Sequence, residues 1–335
     1  MGKKLGKQSV LFENSPSILG YYSIVGNMEG EGNFKDYFHK ILNDDKLGEK
    51  TFERAERKMI KSTIEGCIKQ SKLKENDINL ILGGDLLNQI ISTTFAVRDF
   101  NIPYLGVYGA CSTMGEAIIV GSCLVEGNLI NNCVAVTGTH FSTAERQYRF
   151  PLELGNQRPP TSQWTVTGAG GCVIGNKKSK IKVHSVTFGK VIDYDVKDVN
   201  NMGAAMAPAA MDSLIAHFQD TKTSPDDYDL IVTGDLGKMG SEILMDLMEH
   251  QGFKLGKNYN DCGQMMFTCS QRTFQGASGA GCSASILCSY IFKRMEKGEL
   301  KNVLFAPTGA LLSTTSSQQG ESIPSICNVV HFVAE

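Results

Sequence analysis

The feature of this 335-residue sequence that most restricts its fold is an internal duplication. The segment GNLINNCVAVTGTHFST (127–143) matches GELKNVLFAPTGALLST (298–314) at eight of 17 positions, with an offset of 171 residues. Further towards the N-terminus, LILGGDL (80–86) matches LIVTGDL (230–236) with an offset of 150. Two blocks repeated in the same order indicate a structural unit that occurs twice.

Within each copy, short apolar runs alternate with longer amphipathic runs. Residues 51–71 place apolar side chains on one helical face, whereas INLILGG (78–84) is a continuous apolar run that ends in glycines. Continuous runs of this kind are typical of strands covered by helices on both sides. The pattern predicts an α/β fold with two βαβαβ halves, 1–177 and 178–335, and residues 141–170 as an excursion from the first half.

Composition excludes several classes of function. The formal net charge is −2, so no electrostatic attraction favours nucleic acid or anionic lipid as a partner. No apolar run approaches the roughly 18–20 residues of a membrane span. The ten cysteines include no C-x-x-C pair and no zinc-type spacing with histidine, so we expect no metal site and no bound cofactor.

One cysteine stands at a place where cysteine is often reactive. In GVYGACSTMGEA (106–117), Gly109 and Ala110 permit a sharp bend and Cys111 then starts a helix-like run. Free N–H groups and the helix dipole stabilise a thiolate, or a bound carboxylate, at such a position. We therefore predict that Gly109, Ala110 and Cys111 contribute to a ligand site; the alternative is that Cys111 is a small core residue.

The arrangement resembles the thiolase fold, in which duplicated halves stack in α-β-α-β-α layers. Four stretches resemble one family of that superfamily, stage V sporulation protein AD of spore-forming bacteria: GDLLNQ (84–89), GACST (109–113), TAERQYRFP (143–151) and MGAAMAPAAMD (202–212). The resemblance implies binding of dipicolinic acid (pyridine-2,6-dicarboxylate) and its uptake into the developing spore. It also places Cys111 where the superfamily has its nucleophile.

The catalytic partners of that nucleophile are missing from the sequence. Where condensing members of the superfamily have a histidine, this chain reads TGDLGKMG (233–240), and where they have asparagine or histidine it reads FQGASGAG (274–281). Acyl transfer needs a base and oxyanion donors. We expect Cys111 to be a relic of a nucleophile and the protein not to be an enzyme; an acyltransferase using Cys111 as a thioester nucleophile is the alternative.

A dicarboxylate is recognised by forked cationic donors and a flat apolar wall. We predict that His140, Arg146 and Arg149 line the pocket, and that Asp85 helps to hold a calcium ion carried with the ligand. Other interpretations remain open. Each arginine could be a surface charge on a loop or form a salt bridge to Glu145 or Glu153, and Asp85 and its repeat equivalent Asp235 could both be helix N-caps.

The resemblance also implies partners. We expect dipicolinic acid, with or without calcium, and other stage V sporulation membrane proteins of the same uptake system, with no nucleic acid. We expect a soluble protein on the cytoplasmic side, held peripherally at the spore inner membrane by those proteins. A homodimer is predicted to form through the strand NCVAVTG (132–138), because an apolar edge needs covering. A third possibility is a purely structural adaptor.

Overall fold

The computed structural model describes residues 2–148 and 158–335. Seventeen strands are present in these residues: β1 (Lys3–Leu5), β2 (Ser9–Leu11), β3 (Ser17–Val25), β4 (Lys40–Ile41), β5 (Leu80–Gly84), β6 (Tyr104–Gly106), β7 (Asn132–Thr139), β8 (Trp164–Thr165), β9 (Gly168–Gly175), β10 (Ile181–Thr187), β11 (Leu230–Thr233), β12 (Tyr259–Asp261), β13 (Ala277–Ser278), β14 (Asn302–Ala306), β15 (Thr308–Ala310), β16 (Ser325–Cys327) and β17 (Val329–Ala334).

The helices of the described residues vary from one turn to five turns in length. They are α1 (Asn27–Gly30), α2 (Phe52–Ser71), α3 (Ile91–Val97), α4 (Thr113–Glu126), α5 (Phe141–Tyr148), α6 (Met202–Thr221), α7 (Gly237–His250), α8 (Cys262–Met266), α9 (Ala280–Ile286), α10 (Phe292–Glu296) and α11 (Thr314–Gln318).

Two sheets with the same strand order confirm the duplication. The first has the order β3-β9-β7-β5-β6 and the second the order β10-β17-β14-β11-β12. In each sheet the last three strands are parallel to one another. The sheets join where β3 and β10 pair at Ser17 and Lys182. The predicted boundary at 177/178 lies between β9 and β10, and β2 pairs with β10 across it, so the division into two domains stays a prediction.

The layers follow from the alternation of side chains along the buried strands. In β7, Ala135 points into the same core cluster as Met114 of α4, while Val134 and Val136 pack with Met59 of α2. Helix α4 also contacts β17 of the second sheet, and α6 covers the far side of that sheet. The order of layers is therefore α-β-α-β-α, as predicted.

The strand proposed for dimerisation is not at an edge. Strand β7 pairs with β9 over its whole length and with β5 from Cys133 to Thr137, so it lies inside the sheet and offers no free edge to a second copy. That part of the prediction is wrong, because β6 continues the sheet beyond β5 and forms its edge. Among the described residues, no helix is both long enough and apolar enough to cross a bilayer.

Candidate functional site

The predicted bend before Cys111 is present. After β6 the chain turns through Gly109, a short 3-10 turn spans Ala110–Ser112, and α4 begins at Thr113. Ala110 has a φ of 51°, in the left-handed region that L-residues avoid. A Cβ on Gly109 would lie 2.0 Å from a carboxylate oxygen of Glu116, so a larger residue there would have to displace the Glu116 side chain. The strained turn fixes the direction in which the Cys111 side chain points.

The Cys111 thiol faces a small cavity with mainly apolar walls. Its apolar lining includes Leu86, Met202, Met206 and Leu312, and the side chain of Cys111 is 8% exposed. The cavity volume is about 40 Å³. That is room for about three water molecules, whereas an engineered cavity of about 150 Å³ binds benzene. An aromatic ligand therefore needs lining side chains to move, and methionine is well suited to such repacking.

Asp235 lies beside Cys111 and accepts a hydrogen bond from the thiol side chain. Its carboxyl group also accepts hydrogen bonds from the Gly279 N–H (3.0 Å) and the hydroxyls of Ser278 (3.1 Å) and Thr308 (3.1 Å). Burial raises the pKa of Asp235 to about 6, because desolvation outweighs these donors. Near neutral pH the group next to the thiol is thus a carboxylate.

A carboxylate beside the thiol is a poor arrangement for nucleophilic catalysis. Ionising Cys111 as well as Asp235 would place two negative charges in hydrogen-bond contact in a buried site, which costs free energy. Of the described residues, those that line the cavity include no histidine, asparagine, lysine or arginine. The other acidic side chain there, Glu145, is held by the Arg158 guanidinium (2.8 Å) and accepts from Thr165 (2.7 Å).

His140 is buried away from the cavity. Its Nε2 lies 2.9 Å from the Asp45 carbonyl oxygen, its Nδ1 accepts the Ser142 N–H, and its ring packs on Phe52. With Nδ1 accepting, Nε2 is the donor and the ring is neutral. Burial lowers the pKa of His140, which favours the same neutral form. His140 is not one of the cavity-lining residues, and its role in ligand binding stays a prediction.

Of the two arginines predicted to grip a carboxylate, only Arg146 is among the described residues, and it does not line the cavity. Arg146 is exposed and forms a salt bridge with Glu53 at 3.2 Å, on the outer face of α5. The surface-pair interpretation therefore describes its position, although the partner is Glu53 and not Glu145. Arg149 lies outside the described residues.

The capping interpretation holds for Asp85 and is wrong for Asp235. Asp85 accepts from the Leu87 N–H (2.9 Å) and from the N–H and hydroxyl of Thr93 (2.7 Å each), in the first turn of α3. In the second half, the N-terminal turn of α7 is bound instead by Asp261. Both oxygens of Asp85 are thus engaged, and it does not line the cavity; its role towards calcium stays a prediction.

The site contains residues that the sequence analysis did not single out. Tyr108, Glu145, Tyr148, Thr165 and Ser278 supply polar groups to it, and Asp235, considered above only as a helix N-cap, supplies another. Helical periodicity could have found part of this set, because positions 145 and 148 share a face of α5. Within the described residues, no group of three or more histidine, cysteine, aspartate or glutamate side chains is arranged to hold a metal ion.

The fold and this site define the class of protein. The chain is similar to cerulenin-bound OleA from Xanthomonas campestris (TM-score 0.62, 13% identity, covering 96% of this chain and 99% of that one). It is also similar to 3-oxoacyl-[acyl-carrier-protein] synthase III from Aquifex aeolicus (TM-score 0.56, 9% identity, covering 95% and 99%). At these identities the likeness shows the fold, which is of the thiolase type.

The family is shown by two closer matches. The model of the stage V sporulation protein AD (SpoVAD) family matches residues 6–333. Stage V sporulation protein AD of Bacillus subtilis (strain 168) is 41% identical over 330 residues, covering 98% of each chain. The chain therefore belongs to the SpoVAD family of sporulation proteins.

Proposed function

We propose that this protein is a non-catalytic binding protein for dipicolinic acid, which it binds in the Cys111 cavity during uptake of that molecule into the developing spore. The observation that carries the non-catalytic part is the charge around the thiol: the Asp235 carboxyl beside Cys111 opposes formation of a thiolate, and the described lining residues include no cationic side chain to stabilise one. The ligand itself comes from the family resemblance, and the cavity contributes a flat apolar wall and hydroxyl donors.

The charges around the cavity favour the calcium chelate of the ligand at neutral pH. Asp235 and Glu145 contribute carboxyl groups, and the described lining offers no cationic side chain to a free dianion. Calcium bound by pyridine-2,6-dicarboxylate neutralises both ligand charges and accepts further oxygen ligands. Affinity for the free dianion should fall as pH rises through about 6, where Asp235 ionises, whereas affinity for the chelate should rise.

Calorimetric titration of the purified protein with dipicolinate, with and without calcium, at pH 5 and pH 7.5, tests this proposal. Cys111→Trp should abolish binding by filling the cavity while unfolding stays cooperative; Tyr194→Trp, at an exposed position outside the cavity, is the matched control. Absence of heat in all conditions overturns the ligand assignment. A stoichiometric acyl adduct on Cys111 after incubation with acyl-CoA, seen by intact mass, overturns the non-catalytic assignment.

We further propose a homodimer that pairs through β6. Its outer edge carries unpaired backbone groups, and the nearby apolar side chains of Ile91, Phe95 and Leu105 are exposed. A second copy would cover both features at once. Light scattering should give twice the mass of the chain, and Leu105→Asp should shift the measured mass towards that of the monomer. A monomeric mass for the unaltered protein at micromolar concentration contradicts the proposal.

The proposed location is the cytoplasmic side of the spore inner membrane, where the protein would be held by membrane proteins of the uptake system. Membership of the SpoVAD family supports a role in sporulation, and the described residues supply no membrane-spanning helix of their own. Washing isolated spore membranes with concentrated salt should release this protein, whereas integral membrane proteins should stay in the membrane fraction.

A further inference from the structure

The Cys111 cavity is separated from a second, outer groove by very few side chains. The outer groove has a volume of about 550 Å³ and is lined by residues of the β5–α3 loop, the β6–α4 turn and the segment after β15. Three residues line both spaces: Tyr108, Tyr148 and Leu312. Anything that passes from the outer groove to Cys111 has to displace at least one of them.

The two tyrosines are linked across this boundary. Their hydroxyl groups are 3.3 Å apart, and the Tyr148 hydroxyl also donates to the Leu86 carbonyl oxygen. Tyr108 stands in the turn before Cys111, whereas Tyr148 stands on α5, so they belong to separate segments of chain. The two tyrosines are thus joined to each other by one hydrogen bond between side chains, and Tyr148 is also held by the Leu86 carbonyl.

Exposure changes steeply across the pair. Tyr108 is 44% exposed, whereas Cys111, three residues further along the chain, is 8% exposed. Because the cavity behind the tyrosines has a volume of only about 40 Å³, an aromatic molecule that enters from the outer groove has to move this boundary.

We infer that Tyr108 and Tyr148 form the entrance of the Cys111 cavity and set the size of molecule that gains access to it. Small polar molecules pass when the hydroxyl contact loosens, and planar aromatic molecules require a tyrosine ring to rotate aside. The tyrosine pair therefore controls which molecules reach the cavity, whereas the Asp235 contact affects the reactivity of the Cys111 thiol.

Alkylation of Cys111 by two reagents of different size measures that access. In a Cys269→Ser background, which removes the exposed cysteine, the rate at Cys111 is followed by peptide mass for iodoacetamide and for N-phenylmaleimide. The ratio of the two rates cancels the intrinsic reactivity of the thiol, because Asp235 affects both reactions. Tyr148→Ala should raise the phenylmaleimide-to-iodoacetamide ratio at least tenfold.

Conservative and control variants keep the test decisive. Tyr108→Phe removes the hydroxyl contact between the two tyrosines and should raise the phenylmaleimide rate about fivefold, the effect of one neutral hydrogen bond. Tyr148→Phe also removes the bond to the Leu86 carbonyl and should raise the rate at least as much. Tyr194→Ala, an exposed tyrosine outside both spaces, should change nothing. Alkylation of the core residue Cys67 would reveal unfolding, in which case the phenylalanine variants decide. Unchanged ratios in every folded variant overturn the inference.

A second measurement rests on the proposed function. If dipicolinate binds in the cavity, its association rate should rise in Tyr148→Phe while the affinity changes less, because the entrance lies on the path and not at the end of it. A changed alkylation ratio without any dipicolinate binding would support the entrance formed by the tyrosines and overturn the ligand proposal. Dipicolinate binding with unchanged alkylation ratios would support the ligand proposal and overturn the entrance.

Discussion

The two halves of the molecule place equivalent aspartates in different roles. Asp85 follows β5 and Asp235 follows β11, at matching positions of the repeat. Asp85 binds backbone and hydroxyl groups of the first turn of α3, whereas Asp235 reaches the Cys111 thiol. The duplication therefore reproduced the backbone of the site twice without reproducing its chemistry.

The cause of the difference lies on the neighbouring strand. Asp261 stands opposite Thr233 in the β11–β12 pair, and the corresponding residue opposite Gly83 in the β5–β6 pair is Gly106. Asp261 takes over the N–H groups that follow β11, which leaves Asp235 to turn towards the cavity. The first half has only a glycine there, so Asp85 has to bind its own loop. One substitution on an adjacent strand thus decides which half contributes to the site.

The largest expected effect comes from removing either carboxylate that binds a helix start. Asp261→Ala leaves the buried N–H groups of Leu236, Gly237 and Gln264 without an acceptor, and Asp85→Ala does the same to Leu87 and Thr93. We expect each to lower the unfolding free energy by about 3 kcal/mol or more. Urea denaturation of each variant measures this change in the free energy of unfolding. A loss below about 1 kcal/mol in either variant would break the equivalence between Asp85 and Asp261.

The sequence predicts the fold better than it predicts the candidate site. The duplicated apolar runs predict the two sheets, and Gly109-Ala110-Cys111 predicts the bend, because both depend on residues close together in the chain. The role of Asp235 depends on Asp261, which approaches only through strand pairing. No local pattern around either residue reports that contact.

The position of Arg146 differs from the predicted one for another reason. In a loop, unlike in a helix, the spacing of residues does not determine which side chains face the same way. As part of α5, its neighbours Glu145 and Tyr148 face the cavity together, and a residue next to Glu145 is turned by about 100° around the helix axis. Arg146 therefore points outwards to Glu53. Helical periodicity would have separated these residues.

An intermediate effect is expected from Asp235→Asn. The native group keeps its proton up to about pH 6, whereas an unfolded aspartate loses it near pH 4, so this residue makes the unfolding free energy fall as pH rises from about 4 to 6. Two pKa units correspond to about 3 kcal/mol at most. The asparagine variant should lose that decline, which urea denaturation at pH 4 and pH 7 measures. A decline as steep as that of the unaltered protein would show that Asp235 titrates normally.

The smallest effect concerns the cysteines that the repeat aligns, Cys111 and Cys282. Cys282 is fully buried, with its thiol 3.7 Å from the Gly234 carbonyl oxygen, so Cys282→Ala leaves an empty space in the core and should cost about 1 kcal/mol. Cys111→Ala enlarges a cavity that already exists and should change the unfolding free energy by less than about 0.5 kcal/mol. It should instead weaken dipicolinate binding by about 1 kcal/mol, because the thiol gives up its hydrogen bond to Asp235 to donate to the ligand only in the unaltered protein. Parallel urea denaturation and calorimetry of the two variants measure both quantities. If Cys111→Ala destabilised the protein as much as Cys282→Ala and left binding unchanged, Cys111 would be a packing residue like its counterpart, and the two halves would not differ at this position.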